Sequence, residues 1–211
     1  MQDLVVDAKR GWIYLADINN PSLLAVRISD GYTRRFEGHY SLQAEKGAAM
    51  TVGGEQTYFF GAPMEVGVNP ITLSANGDTI FFGAMTGNHW YSAPTELLRE
   101  GSDEQLAAAI KLEGHKPESD GASTDRAGNH YFTNSNDNGV DVLTKEGQLM
   151  PLVRDERISW PDSVQFGEGG WLYISVNQLN MTDAFTGKGD LGTKPYRIMR
   201  VWTGAEGGNR L

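Results

Sequence analysis

Asp120-Gly-Ala-Ser-Thr124, followed by Gly128 and Tyr131, is one copy of a pattern that occurs four times in this chain. In each copy an Asp or Asn opens a β-prone run, a Gly follows eight residues after the opener, and an aromatic or aliphatic residue follows eleven after it. The other copies begin with Asp3-Leu-Val-Val-Asp7, Asn69-Pro-Ile-Thr-Leu73 and Asp162-Ser-Val-Gln-Phe166. The four copies start 66, 51 and 42 residues apart. Propeller blades recur at roughly 40–50 residues, so the repeat predicts an all-β propeller of four-stranded antiparallel blades.

The strand and turn pattern places about three and a half to four blades in one domain, residues 1–211. A short helical insertion is expected near 95–112, because Pro94 precedes a stretch whose apolar residues follow a helical spacing. The fourth blade shows only three strands in its sequence pattern. The predicted blades lie near residues 1–36, 69–118, 119–155 and 160–203, and the predicted loop insertions are 37–68 and 178–194.

Composition excludes several classes of function. The net charge is −9, and because nucleic-acid binding needs a basic patch, we expect no DNA, RNA or anionic membrane partner. No apolar run approaches the ~18 residues that suggest a transmembrane helix. The chain has no cysteine, which excludes disulfides and thiolate chemistry.

Longer stretches that include the openers follow one another along most of the chain: Asp3–Asp7 with Tyr14-Leu-Ala-Asp17, Asn69–Ser74 with Tyr91-Ser-Ala-Pro-Thr95, Ser119-Asp-Gly121 with Tyr131-Phe-Thr-Asn134, and Trp160-Pro-Asp-Ser163 with Asn177-Gln-Leu-Asn180 and Tyr196-Arg-Ile-Met199. In their order and spacing, these stretches resemble the yellow/major royal jelly protein family. The resemblance implies a six-bladed propeller and ligands such as aromatic amines or similar metabolites. The family's paired cysteines are absent, as in bacterial relatives. The resemblance also favours an extracellular or periplasmic location, although no signal peptide precedes the first predicted strand.

The chain is also similar, more loosely, to gluconolactonase and regucalcin-like propellers. In those proteins an Asn and an Asp bind an axial divalent metal, and Asn69 and Asp120 occupy the matching places. The motifs differ here, because Pro70 follows Asn69 and Ser119 precedes Asp120. The glutamate ligand of the first blade has no counterpart. The resemblance therefore implies Ca²⁺ or another divalent cation as a candidate cofactor, and the missing ligands predict weak binding or none.

The four openers are the main candidates for ligand binding. The first strand of each blade lines the central channel of a propeller, so their side chains should converge on one axis. Such oxygen donors suit Ca²⁺, or a polar or cationic ligand. The alternative is that each Asp or Asn bonds only to turn amides. The openers are Asp3, Asn69, Asp120 and Asp162.

Three further interpretations concern individual polar residues: two asparagines, one aspartate and two histidines. Asn134 and Asn177 follow the second strands of blades three and four and are candidates at the channel mouth, with turn bonding as the alternative. Asp120 is the candidate catalytic residue. The four histidines show no sequence spacing typical of a metal site, and His89 and His115 are interpreted as surface residues or part of a loop face.

Three functions stay open on this sequence. The first is a small-molecule binder with its ligand in the channel mouth. The second is an enzyme, a lactone hydrolase or tautomerase, in which a metal activates water and an axial Asp acts as base. The third is a protein-interaction scaffold that uses the blade edges.

The missing outer strand of blade four and the expected six blades raise the question of what completes the ring. Either a longer protein supplies the missing blades or a second copy covers the open strand edges, which would otherwise invite pairing. The longer protein is favoured, because Met1 directly precedes a predicted strand.

Overall fold

The computed structural model describes residues 1–208, and within them the chain forms four antiparallel sheets arranged as the blades of a propeller. The predicted all-β propeller with short helices is confirmed. In every copy of the repeat, the glycine eight residues after the opener has a positive φ, between +73° and +93°. A residue with a side chain is disfavoured there. The repeated glycine is thus the residue that turns the first hairpin of each blade.

Blade one is a meander with its strands in chain order. Its innermost hairpin is closed by the Asp7 carbonyl oxygen, which accepts hydrogen bonds from the backbone N–H groups of Arg10 and Gly11. Its core-facing side chains, such as Tyr14 and Phe36, are buried. The strands are β1 (Leu4–Asp7), β2 (Trp12–Asp17), β3 (Ser22–Arg27) and β4 (Thr33–Glu37).

The connection from blade one to blade two is a 3₁₀ turn, Tyr40–Leu42, followed by two small hairpins. The sequence indicated only one strand-like piece in this connection. The buried side chains of Leu42 and Met50 anchor the connection to the rest of the protein. The strands of the hairpins are β5 (Thr51–Val52), β6 (Glu55–Gln56), β7 (Tyr58–Phe59) and β8 (Ala62–Pro63).

Blade two contains the helical insertion between its third and fourth strands. The helices are α1 (Thr95–Glu100) and α2 (Asp103–Ala109), whose Leu98 and Leu106 pack into the core shared with blade one. The outer strand follows them, where the sequence showed no strand pattern. The strands are β9 (Val68–Leu73), β10 (Thr79–Ala84), β11 (His89–Pro94) and β12 (Lys111–His115).

Blade three is a second meander, and it packs on blade two through a small aromatic cluster. Trp90 of β11 meets Phe132 edge to face, with ring centroids 4.9 Å apart, and Leu143 completes the cluster. The strands are β13 (Ala122–Thr124), β14 (His130–Asn134), β15 (Gly139–Leu143) and β16 (Leu149–Arg154).

Blade four has three strands within the described residues. An apolar cluster that includes Tyr131, Phe166 and Ile174 packs it on blade three. A short helix, α3 (Asp183–Thr186), lies in the loop before its last strand. None of the helices within residues 1–208 is long and apolar enough to cross a membrane. The strands are β17 (Pro161–Phe166), β18 (Trp171–Val176) and β19 (Arg197–Trp202).

Candidate functional site

The innermost strands of all four blades, β1, β9, β13 and β17, line one central cavity of about 120 Å³. Its wall includes Asp3, Thr72, Ser123 and Gln165. The repeated openers stand where these strands begin or just before them, so they gather at one end of the channel. Asp3 lines the cavity wall itself, whereas Asn69, Asp120 and Asp162 are not part of its lining.

Asp120 lies at the centre of the polar cluster. Its Oδ1 accepts a hydrogen bond from Asn69 Nδ2 at 2.5 Å, and its Oδ2 accepts one from the indole Nε1 of Trp160 at 2.8 Å. Asn69 and Trp160 are almost fully buried, and Asp120 is buried beside them. Three different segments of the chain, from blades two, three and four, therefore hold one carboxylate.

Asp3 and Asp162 complete the set of acidic openers. Asp3 Oδ2 accepts a hydrogen bond from the backbone N–H of Ile71 at 2.9 Å, which ties blade one to the innermost strand of blade two. Asp162 Oδ1 accepts a hydrogen bond from Asn177 Nδ2 at 2.9 Å. Gly121 permits the close approach of blades three and four, because a Cβ at this position would lie 2.5 Å from the backbone oxygen of Asp162.

Burial and mutual repulsion perturb these acids. Desolvation, followed by the charge of Asp162, raises the pKa of Asp120 to about 7, although the hydrogen bonds from Trp160 and Asn69 oppose the rise. Desolvation also raises the pKa of Asp3 to about 7, and the Asp162 charge adds to it. Burial disfavours the charged form of an acid, and a neighbouring like charge disfavours it further.

Within residues 1–208, no basic side chain forms an ion pair with this cluster. None of the ion pairs formed within residues 1–208 involves Asp3, Asp120 or Asp162. The axial end of the channel thus holds three acids that form no ion pair with a basic side chain of residues 1–208, and two of them, Asp3 and Asp120, have a raised pKa.

The donor set only partly suits the divalent metal that the looser resemblance implied. Asn69 Oδ1 is buried and has no hydrogen-bond partner among the described residues, as a metal ligand would be before binding. However, both oxygens of Asp120 already accept hydrogen bonds. Among the residues that the structure describes, no three or more His, Cys, Asp or Glu side chains are grouped to hold a metal. Ca²⁺ takes 6–8 oxygen ligands, so these residues do not form a calcium site by themselves.

Of the two asparagines assigned to the channel mouth, only Asn177 joins the cluster, through its bond to Asp162. Asn134 is engaged in its own hairpin. Its Nδ2 donates to Asp141 Oδ2 at 2.8 Å and to Asp137 at 3.1 Å, and its Oδ1 accepts from the backbone N–H of Asp137. Asn134 therefore follows the alternative that the sequence left open, in which the asparagine forms hydrogen bonds within its own turn.

Sequence reasoning did not select Trp160 as a site residue. Its side chain is fully buried, and it packs with Met50 and Met85 next to the axial cluster. The only signal was its position two residues before the opener Asp162. Because an indole N–H can only donate, a buried Trp near a predicted carboxylate could have been considered as its partner.

Comparison with known proteins places the chain among propellers. The sequence profile described as "Major royal jelly protein" matches residues 1–201. Among proteins with curated descriptions, none matches this sequence.

Solved structures agree on the fold. An auxiliary nutrient binding protein from Bacteroides thetaiotaomicron has 17% identity and a TM-score of 0.55, and the match covers 82% of this chain and 35% of that one. A gluconolactonase from Xanthomonas campestris has 16% identity and a TM-score of 0.54, covering 83% of this chain and 54% of that one. The chain thus spans only about half, or less, of the length of these two proteins.

A regucalcin from Agrobacterium tumefaciens, described as a calcium-binding protein, is matched at 14% identity with a TM-score of 0.45, covering 99% of this chain and 91% of that one. The likenesses to the nutrient binding protein and the gluconolactonase, at 17% and 16% identity, concern the fold, since one propeller architecture supports many functions.

Proposed function

Because the chain belongs to the major royal jelly protein family, we propose that it binds a small cationic molecule, of the amine class, at the axial end of its channel. The observation that carries this proposal is the group of three acidic openers from three blades, Asp3, Asp120 and Asp162, with no ion pair to any of them in the described chain. A cation at their centre relieves their mutual repulsion and favours their ionised forms.

The size of the cavity limits what enters it. Its volume of about 120 Å³ exceeds that of one water, which is roughly 30 Å³ in the liquid, but it is smaller than the ~300–1,000 Å³ of typical ligand pockets. Of the three acidic openers, Asp3 lines this cavity, so the proposal places the ammonium group at the Asp3 end of the cavity and an aromatic ring outside it. The ligand is therefore bound by its charged end.

Proton release accompanies binding in this proposal. The pKa values of Asp3 and Asp120 lie at about 7, so both acids are partly protonated at neutral pH. A cation binds the ionised forms, and the apparent affinity should therefore rise as the pH increases from 6 to 8.

Isothermal titration with phenylethylamine and its uncharged alcohol analogue tests the proposal. We expect the amine to bind and the alcohol not to bind, with tighter amine binding at pH 8 than at pH 6. The variant Asp120→Asn should weaken amine binding by roughly tenfold or more, about 1.4 kcal/mol. The Asp120→Asn variant can keep its hydrogen bond to Asn69. If the Asn69 amide turns over, its Oδ1, which has no partner among the described residues, accepts a hydrogen bond from the introduced amide group. Equal affinity for the amine and the alcohol, or no binding of either, would contradict the proposal.

A second candidate function is lactone hydrolysis or tautomerisation, with Asp120 as the group that transfers a proton. The observation that favours it is the pKa of about 7 at Asp120, since proton transfer is most efficient when the pKa lies near the working pH. A panel of lactones tests it. Turnover by the wild-type protein that is lost in Asp120→Asn would favour the enzyme, whereas no turnover of any lactone would leave the binder.

A further inference from the structure

Two histidines of blade two that are far apart in the sequence lie side by side in the sheet. His89, the first residue of β11, is directly opposite His115, the last residue of β12, in the antiparallel register. Their ring centroids are 5.2 Å apart and their planes differ by 47°. Directly opposed residues of an antiparallel pair have side chains on the same face of the sheet.

The hydrogen bonds of both rings determine which nitrogen is free. His89 Nδ1 lies 2.7 Å from Glu45 Oε1, and His115 Nδ1 lies 3.3 Å from the backbone oxygen of Asn88. The backbone oxygen can only accept, as does the carboxylate in its ionised form, so each Nδ1 carries the proton and donates it. Each Nε2 then presents a lone pair, which is the form in which a neutral imidazole binds a metal.

Glu45 is fixed firmly beside His89. Its Oε1 accepts hydrogen bonds from the backbone N–H groups of Asn88, at 2.8 Å, and His89, at 2.9 Å, in addition to the imidazole. Gly87 makes room for it, because a Cβ there would lie 2.6 Å from the same oxygen. A carboxylate that accepts the second N–H of a histidine orients the ring and raises its basicity as a ligand.

The spacing of the two rings agrees with one shared ion. A metal bound at ~2.0–2.1 Å from an imidazole nitrogen lies about 3.2 Å from the ring centroid, so two rings at a tetrahedral angle have centroids roughly 5.2 Å apart. The observed separation is 5.2 Å. The centroid separation is therefore the one that a shared ion requires, and the proposal needs both Nε2 atoms to face that ion.

His89 also lines a cavity of about 530 Å³ between blade two and the connection that follows blade one. Tyr40, Tyr91 and Leu112 contribute to its wall. Leu112 pairs with Tyr91 because an irregularity between β11 and β12 shifts the register after Trp90. This cavity is distinct from the central channel, and its lining shares no residue with that of the channel.

We propose that His89 and His115 bind one divalent transition-metal ion, of the Zn²⁺, Ni²⁺ or Cu²⁺ class, through their Nε2 atoms. Imidazole nitrogen suits these ions rather than Ca²⁺ or Mg²⁺. The protein supplies two ligands, which agrees with the absence of a group of three or more His, Cys, Asp or Glu metal ligands within residues 1–208. The remaining coordination positions are open to water or to a small anionic ligand. Glu45 is a positioning residue in this site.

Calorimetric titration of the 211-residue chain with Zn²⁺ tests the proposal. We expect one ion per chain at this site, with the affinity lowered at least tenfold in His89→Ala and in His115→Ala. Glu45→Gln should weaken binding by roughly 10-fold, in the range known for such supporting groups. His39→Asn is the matched control, because Asn also accepts from the backbone N–H of Ser41, as His39 Nδ1 does. This variant and Asp120→Asn should bind Zn²⁺ as the wild type does.

A measurement on the unmodified protein removes any dependence on the folding of variants. Paramagnetic Ni²⁺ should broaden the imidazole NMR signals of two of the four histidines, His89 and His115, before those of His39 and His130. Equal broadening of all four, or Zn²⁺ affinity that is unchanged in the double variant His89→Ala/His115→Ala, would overturn the proposal. So would the absence of Zn²⁺ binding by the wild-type chain.

Discussion

The pKa of Asp120 depends on opposing effects: burial and two neighbouring carboxylates raise it, and two hydrogen-bond donors lower it. Trp160 and Asn69 stabilise the ionised form, whereas burial and the charges of Asp162 and Asp3 destabilise it. The net result is a pKa of about 7. The side chain therefore changes its charge near neutral pH. Substitutions of its partners, Trp160 and Asn69, should change this pKa.

Trp160→Phe tests the contribution of the indole N–H. The variant keeps an aromatic ring in the core but removes the bond to Asp120. Because this bond stabilises the ionised carboxylate, its loss should cost about 1.5–3 kcal/mol at pH 8 and less at pH 5, where Asp120 is protonated. Urea denaturation at both pH values measures the difference.

Trp90→Phe is the control for that experiment. Trp90 is also fully buried, but its Nε1 has no hydrogen-bond partner. Its substitution should lower the free energy of unfolding by the same amount at pH 5 and pH 8. If Trp160→Phe shows no more pH dependence than Trp90→Phe, the bond to Asp120 has no effect on the charge.

The residues that the sequence could predict are those that the repeat determines. Asp3, Asn69, Asp120 and Asp162 gather at one end of the channel because each holds the same position in its blade, so periodicity alone located them. Trp160 and the His89–His115 pair belong to no repeat. The two histidines meet only because β12 returns beside β11 after the helices, a pairing that is encoded in tertiary packing and not in local spacing.

At the scale of elements, strands with buried faces were predictable and edge elements were not. The innermost and second strands alternate or concentrate apolar residues, which is the pattern of a packed strand. By contrast, β12 reads Lys-Leu-Glu-Gly-His and is mostly exposed. Few of its side chains enter the core, so its sequence has no apolar pattern to identify it as the outer strand of blade two. For the same reason, the sequence indicated only one strand-like piece, residues 56–60, where the structure has the two small hairpins β5–β6 and β7–β8.

The helical insertion depends on a local signal that can be tested by itself. Ser102 and Gln105 form a capping box at the start of α2, in which the Ser102 side chain accepts from the Gln105 N–H and the Gln105 side chain accepts from the Ser102 N–H. Ser102→Ala should destabilise the protein by about 1 kcal/mol, and Ser102→Thr should change it little. Thermal unfolding of both variants measures this, and equal melting temperatures would show that the cap does not contribute.

At the scale of the whole molecule, buried acids and a buried lysine predict a stability minimum near neutral pH. The folded-state pKa values of Asp3 and Asp120, about 7, exceed the ordinary value of 3.8, so stability should fall as the pH rises from 4 to 7. Desolvation lowers the pKa of Lys116 to about 7 from 10.5, so stability should rise again between pH 7 and 10.5. Denaturation by urea at pH 5, 7 and 9 measures the curve.

Two variants identify the residues that cause the two slopes of that curve, the acidic limb below pH 7 and the alkaline limb above it. Asp120→Asn should reduce the slope of the acidic limb, to which Asp3 still contributes, and Lys116→Met should flatten the alkaline limb. A curve with its maximum at pH 7 would contradict the predicted charge states.

The outward face of blade four predicts how the isolated chain behaves. Along β19, Ile198 and Trp202 are 78% and 63% exposed, while Met199 and Val201 between them face blade three. Exposed apolar side chains beside an open strand edge favour association with a further blade or a second copy. We therefore expect the 211-residue chain to self-associate in analytical ultracentrifugation.

Substitutions on that face should reverse the association. Ile198→Ser with Trp202→Ser should shift the chain toward monomer. Phe60→Asn should not, because Phe60 is as exposed, at 79%, but lies in the β7–β8 hairpin. A wild-type chain that sediments as a monomer at every concentration would contradict the prediction that blade four needs a partner.

The most direct test of the account is to measure the charges at the channel axis. Carboxyl ¹³C NMR of the aspartate-labelled protein, with Asp3→Asn and Asp120→Asn for assignment, follows each titration separately. We expect two aspartates to titrate near pH 7 and both to shift to lower pH in Asp162→Asn, because the openers act on one another electrostatically. If every aspartate titrates at the ordinary value of 3.8 or below, or if Asp162→Asn leaves the others unchanged, the openers do not form one site.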